Sequence, residues 1–305
     1  LLNKKNCKVL VIDKVTYASN KNIFNLNKMY SFKKLDICET KKLNKVIINF
    51  KPDCIFHLAS ETHVDNSIKN SKVFINSNIL GMYSLLNAFK EYNDKINKKV
   101  LLINVSTDEV YGSTLFGKFS ENNKYYPNSP YSASKASADM LARAWLKTFN
   151  VPIITTNCSN NFGPFQHKEK LIPKIITNLL NKKKIPIYGN GKNMRDWIFV
   201  KDHVKILYKL YFNGKVGETY NIGSNNVMSN ISILRKLLKI YNQSKPNKNL
   251  KFNDVVDYVE DRKGHDFRYA ISTKKIDKLR LFKDKKKFLD NLLFTFKWYI
   301  KNSYK

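Results

Sequence analysis

Val105-Ser106-Thr107-Asp108-Glu109-Val110-Tyr111-Gly112 is the first of two stretches that decide the fold. The second, further along the chain, is Tyr131-Ser132-Ala133-Ser134-Lys135. The apolar run Val100–Val105 before the first stretch is typical of a buried strand. The second stretch opens a long segment, Tyr131–Phe149, whose apolar residues recur at helical spacing. A strand followed by such a helix is typical of a chain built from βαβ units, in which parallel strands form a sheet.

The same alternation of short apolar runs and longer amphipathic segments extends along the chain. The predicted strands are Cys7–Ile12, Ser31–Leu35, Cys54–Leu58, Val100–Val105 and Pro152–Thr156. The predicted helices are Lys41–Asn49, Val73–Tyr92, Tyr131–Phe149, Leu171–Leu180, Lys201–Phe212 and Ile231–Tyr241. We therefore predict an α/β fold, with a doubly wound, Rossmann-like parallel sheet in residues 1–160. A smaller substrate-binding region follows in residues 161–305, and some of its segments return to the sheet.

A glycine-rich turn normally follows the first strand of a dinucleotide-binding sheet, because the backbone must approach the pyrophosphate closely. The first glycine of this chain is Gly81. Yet Asp13 directly follows the apolar run Val9–Ile12. In dinucleotide-binding proteins, an acidic residue at the end of the second strand binds the adenosine ribose. We therefore expect the first strand and the glycine loop to precede Leu1. If that strand is counted as the first, Cys7–Ile12 is the second and Cys54–Leu58 the fourth, and the missing strand belongs between these two. A full-length protein of another fold, without enzyme activity, is the alternative.

The net charge of +31 at first suggests a nucleic-acid partner. Of the 55 basic residues only six are Arg, however, and the lysines are spread along the chain together with many Asn and Ile. Nucleic-acid readers favour clustered Arg, which makes bidentate contacts to bases and phosphates. Coding bias is therefore the preferred explanation, and no nucleic-acid partner is expected.

Cysteine spacing and hydropathy indicate the compartment. The four cysteines have no C-x-x-C spacing, so neither a disulfide framework nor a metal site is expected. No apolar run approaches the roughly 18–20 residues that cross a bilayer, and Leu1–Asn6 do not resemble a signal peptide. We expect a cytoplasmic protein without a membrane partner.

Three stretches carry the candidate chemistry. In Phe56–Ser67 the end of a predicted buried strand is followed by small residues, against which a cofactor can lie. An ordinary loop between a strand and a helix is the alternative. Asp108 and Glu109 adjoin Thr107 at a strand end, where paired carboxylates suit acid–base work because each shifts the pKa of the other. A capped turn is the alternative.

Tyr131 and Lys135 would share one helix face, where an ammonium lowers the pKa of a phenol. The same spacing also begins at Tyr17, Tyr30, Tyr188, Tyr211 and Tyr241, so only the helical context selects Tyr131.

Together these motifs resemble the extended short-chain dehydrogenase/reductase superfamily, and the Thr-Asp-Glu triplet is similar to its dTDP-glucose 4,6-dehydratase family. Supporting stretches are Val11–Asn20, Asn157–Pro164, Glu169–Pro173, Pro186–Gly191, Arg195–Trp197 and Asp261–Asp266. The chain departs from the family pattern at Ser19 (usually glycine), Asn66 (usually arginine) and Lys263 (usually proline), besides the missing glycine loop.

The resemblance implies a lyase that converts dTDP-glucose to dTDP-4-keto-6-deoxyglucose, a step of deoxysugar and lipopolysaccharide biosynthesis, with transient reduction of NAD. Tyr131, aided by Thr107 and Lys135, would deprotonate the 4-hydroxyl of the sugar. Glu109 would remove the C5 proton and Asp108 would protonate the leaving 6-hydroxyl. UDP-glucose as substrate, another NAD-dependent sugar-nucleotide epimerase or dehydratase, and an inactive truncated remnant remain alternatives.

The resemblance also implies binding residues and a homodimer through helices that include Val73–Tyr92 and Tyr131–Phe149. The residues implied to line NAD are Asp13, Asp36, Ile37, Leu58, Ala59, Ser77, Tyr131, Lys135 and Asn161. The residues implied to hold the nucleotide sugar are Thr62, Thr107, Asn160, Lys170, Leu171, Pro186, Tyr188, Arg195, Asn230, Arg262 and His265. Arg195 and Arg262 persist in a Lys-rich chain, which suggests bidentate contacts to pyrophosphate that Lys makes poorly.

Overall fold

The computed structural model describes residues 7–19, 29–96, 100–244, 249–281 and 287–302, so Leu1–Asn6 and Asn20 lie outside the described residues. The chain divides into two compact units that alternate along the sequence. The first unit comprises Leu1–Val110, Tyr125–Asn157 and Leu207–Tyr220. The second comprises Tyr111–Lys124, Cys158–Ile206 and Asn221–Lys305.

Strands and helices alternate through the described residues. The strands are β1 (Val9–Asp13), β2 (Tyr30–Lys34), β3 (Cys54–His57), β4 (Leu101–Thr107), β5 (Ile153–Cys158), β6 (Asn160–Phe162), β7 (Ile185–Tyr188), β8 (Met194–Phe199), β9 (Thr219–Ile222), β10 (Val227–Ser229) and β11 (Val256–Val259). The α-helices are α1 (Thr40–Phe50), α2 (Val64–Lys69), α3 (Ser71–Phe74), α4 (Gly81–Lys95), α5 (Pro130–Phe149), α6 (Leu171–Leu180), α7 (Val200–Asn213), α8 (Asn230–Ser244), α9 (Phe252–Val255), α10 (Lys274–Lys278) and α11 (Phe288–Asn302).

The strands near the start of the chain belong to two separate sheets. Strand β1 pairs in parallel with β2, and β3 pairs in parallel with β4 in a sheet of order β3-β4-β5-β9. All five residues of β1 are only half-buried, whereas β4 is almost wholly buried. Among the described residues no strand lies between β1 and β3, which is the position predicted for the missing strand.

The core of the first unit forms between its helices and strands. Leu43, Val46 and Ile47 recur at helical spacing on α1 and pack in one cluster with buried residues of α4, such as Leu86 and Phe89. Burial of each such side chain contributes roughly 1.5–3 kcal/mol. This packing holds the helices against the strands that carry the site.

The predicted helix Val73–Tyr92 is interrupted. It consists of α3, a π-helical segment (Ile75–Leu80) and α4, so the predicted range is helical throughout but its hydrogen-bond pattern changes in the middle. A π-helical segment admits an extra residue into a turn, and such segments are frequent at functional sites. Hydropathy does not distinguish this segment from a regular helix, because its six residues make less than two turns of either kind.

The second unit has its own core and two small sheets. Strand β8 lies between β10 and β6, and β7 pairs in parallel with β11. The core lies among α6, α8 and α11, with Ile175, Leu237 and Phe296 fully buried. Helix α6 spans the predicted range Leu171–Leu180.

Across the described ranges, no helix combines the length and apolar character that a membrane span requires.

Two glycines with left-handed backbones provide a test of the packing in the second unit. A Cβ on Gly191 (φ +67°) would come within 2.6 Å of both Ile187 and Ile231, whereas a Cβ on Gly117 (φ +71°) would meet nothing within 4 Å. Both alanine variants carry the left-handed cost of about 1–2 kcal/mol. Gly191→Ala adds overpacking of about 1–3 kcal/mol. We expect a clearly lower melting temperature for Gly191→Ala than for Gly117→Ala, measured by circular dichroism, and equal melting temperatures would contradict this packing.

Candidate active site

The site in the first unit begins where α5 starts. Ser129 and Ser132 form a reciprocal capping box, in which each hydroxyl accepts a hydrogen bond from the backbone N–H of the other. Pro130 occupies the first helical position, which needs no N–H donor. These residues fix the start of the helix, and they place Tyr131 and Lys135 on its first two turns.

Lys135 connects this helix to the central strand. Its Nζ donates a hydrogen bond of 2.9 Å to the carbonyl of Val105 on β4, and the side chain is buried. Burial and the positive charge of Lys135 together lower the pKa of His57 on β3 to about 3. The ammonium is therefore a buried positive charge beside the C-terminal ends of β3 and β4.

Tyr131 is held on two sides. Its backbone N–H donates to the hydroxyl of Ser67, and its ring packs edge-on against Phe74 with the ring centroids 6.3 Å apart. Such contacts restrict the ring to a narrow range of orientations. The phenol is thus fixed one helical turn before Lys135.

The predicted acids follow directly after β4. Thr107 ends the strand, and Asp108–Tyr111 form a turn of 3₁₀ helix. The Thr107 hydroxyl accepts from the backbone N–H of Glu109 at 3.3 Å, so the predicted capping role exists beside any catalytic one. Asp108 is buried and Glu109 is half-buried. Since Lys135 binds Val105, it lies beside the end of β4 that leads into Thr107, Asp108 and Glu109, and Tyr131 lies one helical turn before it on α5.

Asn78, in the π-helical segment, connects three parts of this site. Its side-chain oxygen accepts from the Ser60 hydroxyl and from the backbone N–H of Glu61, and its amide group donates to Ser134 on α5 at 2.8 Å. The sequence analysis missed Asn78. The available signal was the polar run Asn76-Ser77-Asn78, which has apolar residues on both sides.

Residues predicted to line a cofactor gather at the ends of β1 and β3. The carboxylate of Asp13 accepts from the backbone N–H of Val15 and from the Ser19 hydroxyl. Lys14, which the sequence analysis also missed, donates to Ser77 and forms an ion pair with Glu61 at 3.3 Å.

The donor set fits both ends of a dinucleotide. The Asp13 carboxylate can accept hydrogen bonds from the hydroxyls of one ribose, and Lys135 and Tyr131 can form hydrogen bonds with the ribose at the opposite end. Leu58 is 58% exposed at the end of β3 beside the half-buried Ala59, and an apolar side chain so placed can lie against an aromatic ring. Asp36 and Ile37 follow β2, where Asp36 accepts from the N–H of Cys38.

Asn161, another predicted cofactor residue, lies on β6 in the second unit, and its amide is held internally. Its side-chain oxygen lies 2.9 Å from His203 Nδ1, and its Nδ2 donates to the Ser159 carbonyl. Burial lowers the pKa of His203 to about 4, so this imidazole is neutral at pH 7.

Arg195 is the best-held cation of the second unit. Its guanidinium donates to the backbone carbonyls of Met194, Asp266 and Phe267, and it stacks on the ring of Tyr269 at 4.2 Å. Arg has five N–H donors, so other donors are left for an anion. Tyr269 beneath it is a further residue that the sequence analysis missed.

Three predicted substrate residues form one cluster in the same unit. Arg262 lies 5.0 Å above the ring of Tyr188, and His265 meets that ring edge-on. His265 Nδ1 lies 2.6 Å from a carboxylate oxygen of Asp261. Burial, followed by the charges of Arg195 and Arg262, lowers the pKa of His265 despite Asp261. Arg195, Arg262 and His265 therefore lie close enough to interact electrostatically, and the two arginines make this cluster cationic.

The other predicted substrate residues are distributed around these clusters. Asn160 precedes Asn161 on β6, and within the described structure its buried Oδ1 has no hydrogen-bond partner. Pro186 lies on β7, and Asn230 begins α8. Lys170 and Leu171 lie at the start of α6. Thr62 lies in the exposed loop after β3, in the first unit.

Comparisons with known proteins agree with one another. The family described as GDP-mannose 4,6 dehydratase matches residues 1–291. The dTDP-glucose 4,6-dehydratase of Neisseria meningitidis serogroup B is 42% identical over 96% of this chain and 86% of its own length. That of Haemophilus influenzae is 40% identical over 99% and 93%, respectively.

Solved structures extend the similarity to the fold. The dTDP-glucose 4,6-dehydratase of Bacillus anthracis in complex with NAD has a TM-score of 0.87 and 38% identity, covering 99% of this chain and 91% of that one. A UDP-glucuronic acid 4-epimerase of Bacillus cereus has a TM-score of 0.88 at 25% identity, covering 99% and 94%. The predicted family resemblance and Rossmann-like fold are confirmed.

His57 makes the stability of the protein sensitive to acid. The pKa of His57 is 6.5 in the unfolded chain and about 3 in the folded one. As the pH drops below 6.5, His57 is therefore protonated in the unfolded chain but stays neutral in the folded chain, and this favours unfolding. At pH 5 this costs about 2 kcal/mol of stability. We expect His57→Gln to reduce the fall in melting temperature between pH 7 and pH 5. An equally steep fall in the variant would contradict the assignment.

Proposed function

Because the chain belongs to the dTDP-glucose 4,6-dehydratase family, we propose that it is an NAD-dependent lyase that converts dTDP-glucose to dTDP-4-keto-6-deoxyglucose. One observation carries the proposal above the others. The helix that carries Tyr131 and Lys135 is bound through Lys135 to β4, which ends in Thr107 and is followed directly by Asp108 and Glu109. A base, a cation and two acids on adjoining segments are the groups that this dehydration needs.

NAD, when bound, would accept a hydride from sugar C4 and return it to C6. Asp13, Leu58, Ala59, Ser77 and Lys135 would hold it, with Asp36, Ile37, Tyr131 and Asn161 completing the set. We assign Lys14 to the same group, because its ammonium contacts Ser77 and Glu61. Of these residues, Asn161 has the weakest support as a cofactor ligand, because its side-chain amide already forms hydrogen bonds within the second unit.

Tyr131 would act as the base on the sugar's 4-hydroxyl. A phenol has an ordinary pKa of about 10, so it needs a nearby positive charge to ionise near neutral pH. Lys135 supplies that charge from four residues further along α5. The Thr107 hydroxyl would donate a hydrogen bond to the 4-oxygen and orient it toward Tyr131.

Glu109 and Asp108 would divide the elimination of water between them. A ketone at C4 acidifies the C5 proton, and Glu109, the more exposed acid, would remove it as a base and return a proton to C5 when C6 receives the hydride. Asp108 is the more buried of the two, and burial favours the protonated form of a carboxyl group. Asp108 would therefore donate its proton to the departing 6-hydroxyl.

The second unit would hold the nucleotide part of the substrate. Arg195 and Arg262 would bind the diphosphate, and His265 would add a neutral donor. Tyr188, Pro186, Lys170, Leu171, Asn160 and Asn230 would surround the remainder, with Thr62 and Thr107 from the first unit at the sugar.

A simple 4-epimerase is the alternative that the fold alone permits. An epimerase needs a Tyr–Lys pair but no acid–base pair after Thr107, so Asp108 and Glu109 favour dehydration. Whether the base of the nucleotide is thymine or uracil would be decided by direct competition between dTDP-glucose and UDP-glucose.

The proposal includes a cytoplasmic homodimer. All four cysteines are free thiols, which suits a reducing compartment. In the first unit, Tyr83 on α4 packs edge-on against Trp145 on α5. Leu80, at the end of the π-helical segment, and Met140 on α5 are about half exposed. This apolar face would be buried against the same face of a second copy.

Glu109→Gln tests the division of labour between the acids. The amide cannot remove the C5 proton, so we expect dehydration to fall at least about a thousandfold, the scale reported for loss of one essential catalytic group. With NAD and dTDP-glucose present, absorbance at 340 nm should still rise, because oxidation at C4 precedes the blocked step. The 4-keto product would be followed by its alkali-induced absorbance.

Two variants serve as controls for this experiment. Glu91→Gln changes an exposed acid on α4 and should leave turnover unchanged. Tyr131→Phe should abolish the 340 nm signal together with the product. Undiminished turnover by Glu109→Gln would refute the proposed base, and failure of the unaltered chain to bind NAD would favour an inactive remnant.

Leu80→Glu combined with Met140→Glu tests the dimer. Charges on the apolar face oppose its burial, so we expect a monomer in analytical ultracentrifugation at micromolar concentration. Leu115→Glu, an exposed apolar position in the second unit, should leave the dimer intact. A wild-type chain that sediments as a monomer would exclude this part of the proposal.

A further inference from the structure

Asp139 is a buried carboxylate on α5 that the proposed reaction does not use. It follows Lys135 by four residues, as Lys135 follows Tyr131, so the three lie along one face of the helix. Its side chain is only 3% exposed. A buried carboxylate on a largely apolar helix requires specific partners.

The partners of Asp139 come mainly from β4. The amide of Asn104 donates to one carboxylate oxygen at 2.7 Å, and the hydroxyl of Ser106 donates to the other at 2.6 Å. Tyr125 adds a third hydrogen bond, and its own hydroxyl accepts from Asn157 at 3.0 Å. Three donors converge on one group, and all of these residues belong to the first unit.

The electrostatics favour a charged carboxylate at neutral pH. Burial raises the pKa of Asp139 to about 6, and this rise is limited by the Lys135 ammonium and by the three donors. Charged hydrogen bonds of this kind are about twice as strong as neutral ones. The charged groups around this pocket are Lys135 on the same helix and, when protonated, His57 on β3.

Asp139 and Lys135 together bind three consecutive residues of β4. Lys135 holds the carbonyl of Val105, while Asp139 holds the side chains of its neighbours Asn104 and Ser106. One contact would still let the helix rotate or slide along the strand. Two contacts a helical turn apart fix both movements. The residue after Ser106 is Thr107.

We propose that Asp139 is a positioning residue for the dehydratase reaction, which fixes the register of α5 on β4 and thereby the placement of Tyr131 relative to Thr107. The inference rests on the proposed function. It assigns no contact between Asp139 and the substrate. The effect of Asp139 on the reaction would pass entirely through the helix that it holds.

Asp139→Asn is the first test. It keeps the volume but removes the negative charge, and its single acceptor oxygen cannot accept from Asn104 and Ser106 at once, so at least one of these two hydrogen bonds is lost or reversed. Misplacement of reacting groups by about 1 Å can reduce rates about a hundredfold. We expect kcat to fall between about tenfold and a hundredfold. The KM for dTDP-glucose and the calorimetric Kd for dTDP should each stay within about twofold, since α5 supplies no diphosphate ligand.

A charge-exchanged double variant separates positioning from simple stability. Asn104→Asp with Asp139→Asn restores the hydrogen bond with donor and acceptor exchanged, and it keeps one negative charge in the pocket. We expect it to recover most of the lost kcat. Ser106→Ala removes a single donor and should have a smaller effect of the same kind, which keeps the test usable if Asp139→Asn folds poorly.

Two matched controls set the scale. Ser137→Ala removes a hydrogen bond within α5 that does not reach β4. Tyr92→Phe removes a buried hydrogen bond to the Pro52 carbonyl, elsewhere in the first unit. Tyr92→Phe should lower the melting temperature but leave the kcat of the folded protein unchanged.

The outcomes distinguish the inference from the function on which it rests. An unaltered chain that forms no 4-keto product would refute the proposed function, and this inference with it. An active wild type together with an unchanged kcat in Asp139→Asn would overturn the positioning role alone. So would a loss of kcat that the double variant does not recover, or a loss matched by Tyr92→Phe.

Discussion

The hydrogen bond from the Lys135 ammonium to the Val105 carbonyl is the contact on which the first-unit site depends. A helix and a strand distant in sequence meet there, and the residues with chemistry lie within a few positions of the contact on either side. Tyr131 precedes it on the helix, and Thr107 to Glu109 follow it on the strand. Because the ammonium is buried, the same contact places a positive charge where a phenolate would form. One side chain therefore serves both the geometry and the electrostatics.

The second unit follows a different principle. Arg195 and Arg262 each combine a guanidinium with an aromatic ring, and backbone carbonyls fix the direction of Arg195. Lys could reproduce the charge, but neither the flat stacking nor the simultaneous donation to several carbonyls. This accounts physically for arginine at these two positions in a chain in which Lys prevails almost everywhere else.

The sequence predicted most reliably those features that repeat along it. Helix α6 lies within its predicted bounds because its apolar residues follow the helical period without interruption. Asp13 was found because it ends an apolar strand. The π-helical segment was missed because it differs from an α-helix in its hydrogen bonds, and six residues are too few to reveal a change of period. Asn78, Asp139 and Tyr269 were missed for another reason. Their partners lie far away in sequence, and only the fold brings donor and acceptor together. The individual roles of the catalytic residues stay predictions, since they depend on a bound substrate.

The separation of β1 from β3 has a consequence for how copies of this chain behave in concentrated solution. Each of these strands pairs on one side only within the described residues, and β1 is apolar but half-buried. Unpaired strand edges act as templates on which other chains can add strands and aggregate. The net charge of +31 opposes such encounters by mutual repulsion between molecules. Salt limits the range of that repulsion to about 10 Å at 0.1 M. Added salt should therefore promote aggregation of this protein far more than that of a neutral protein of equal size.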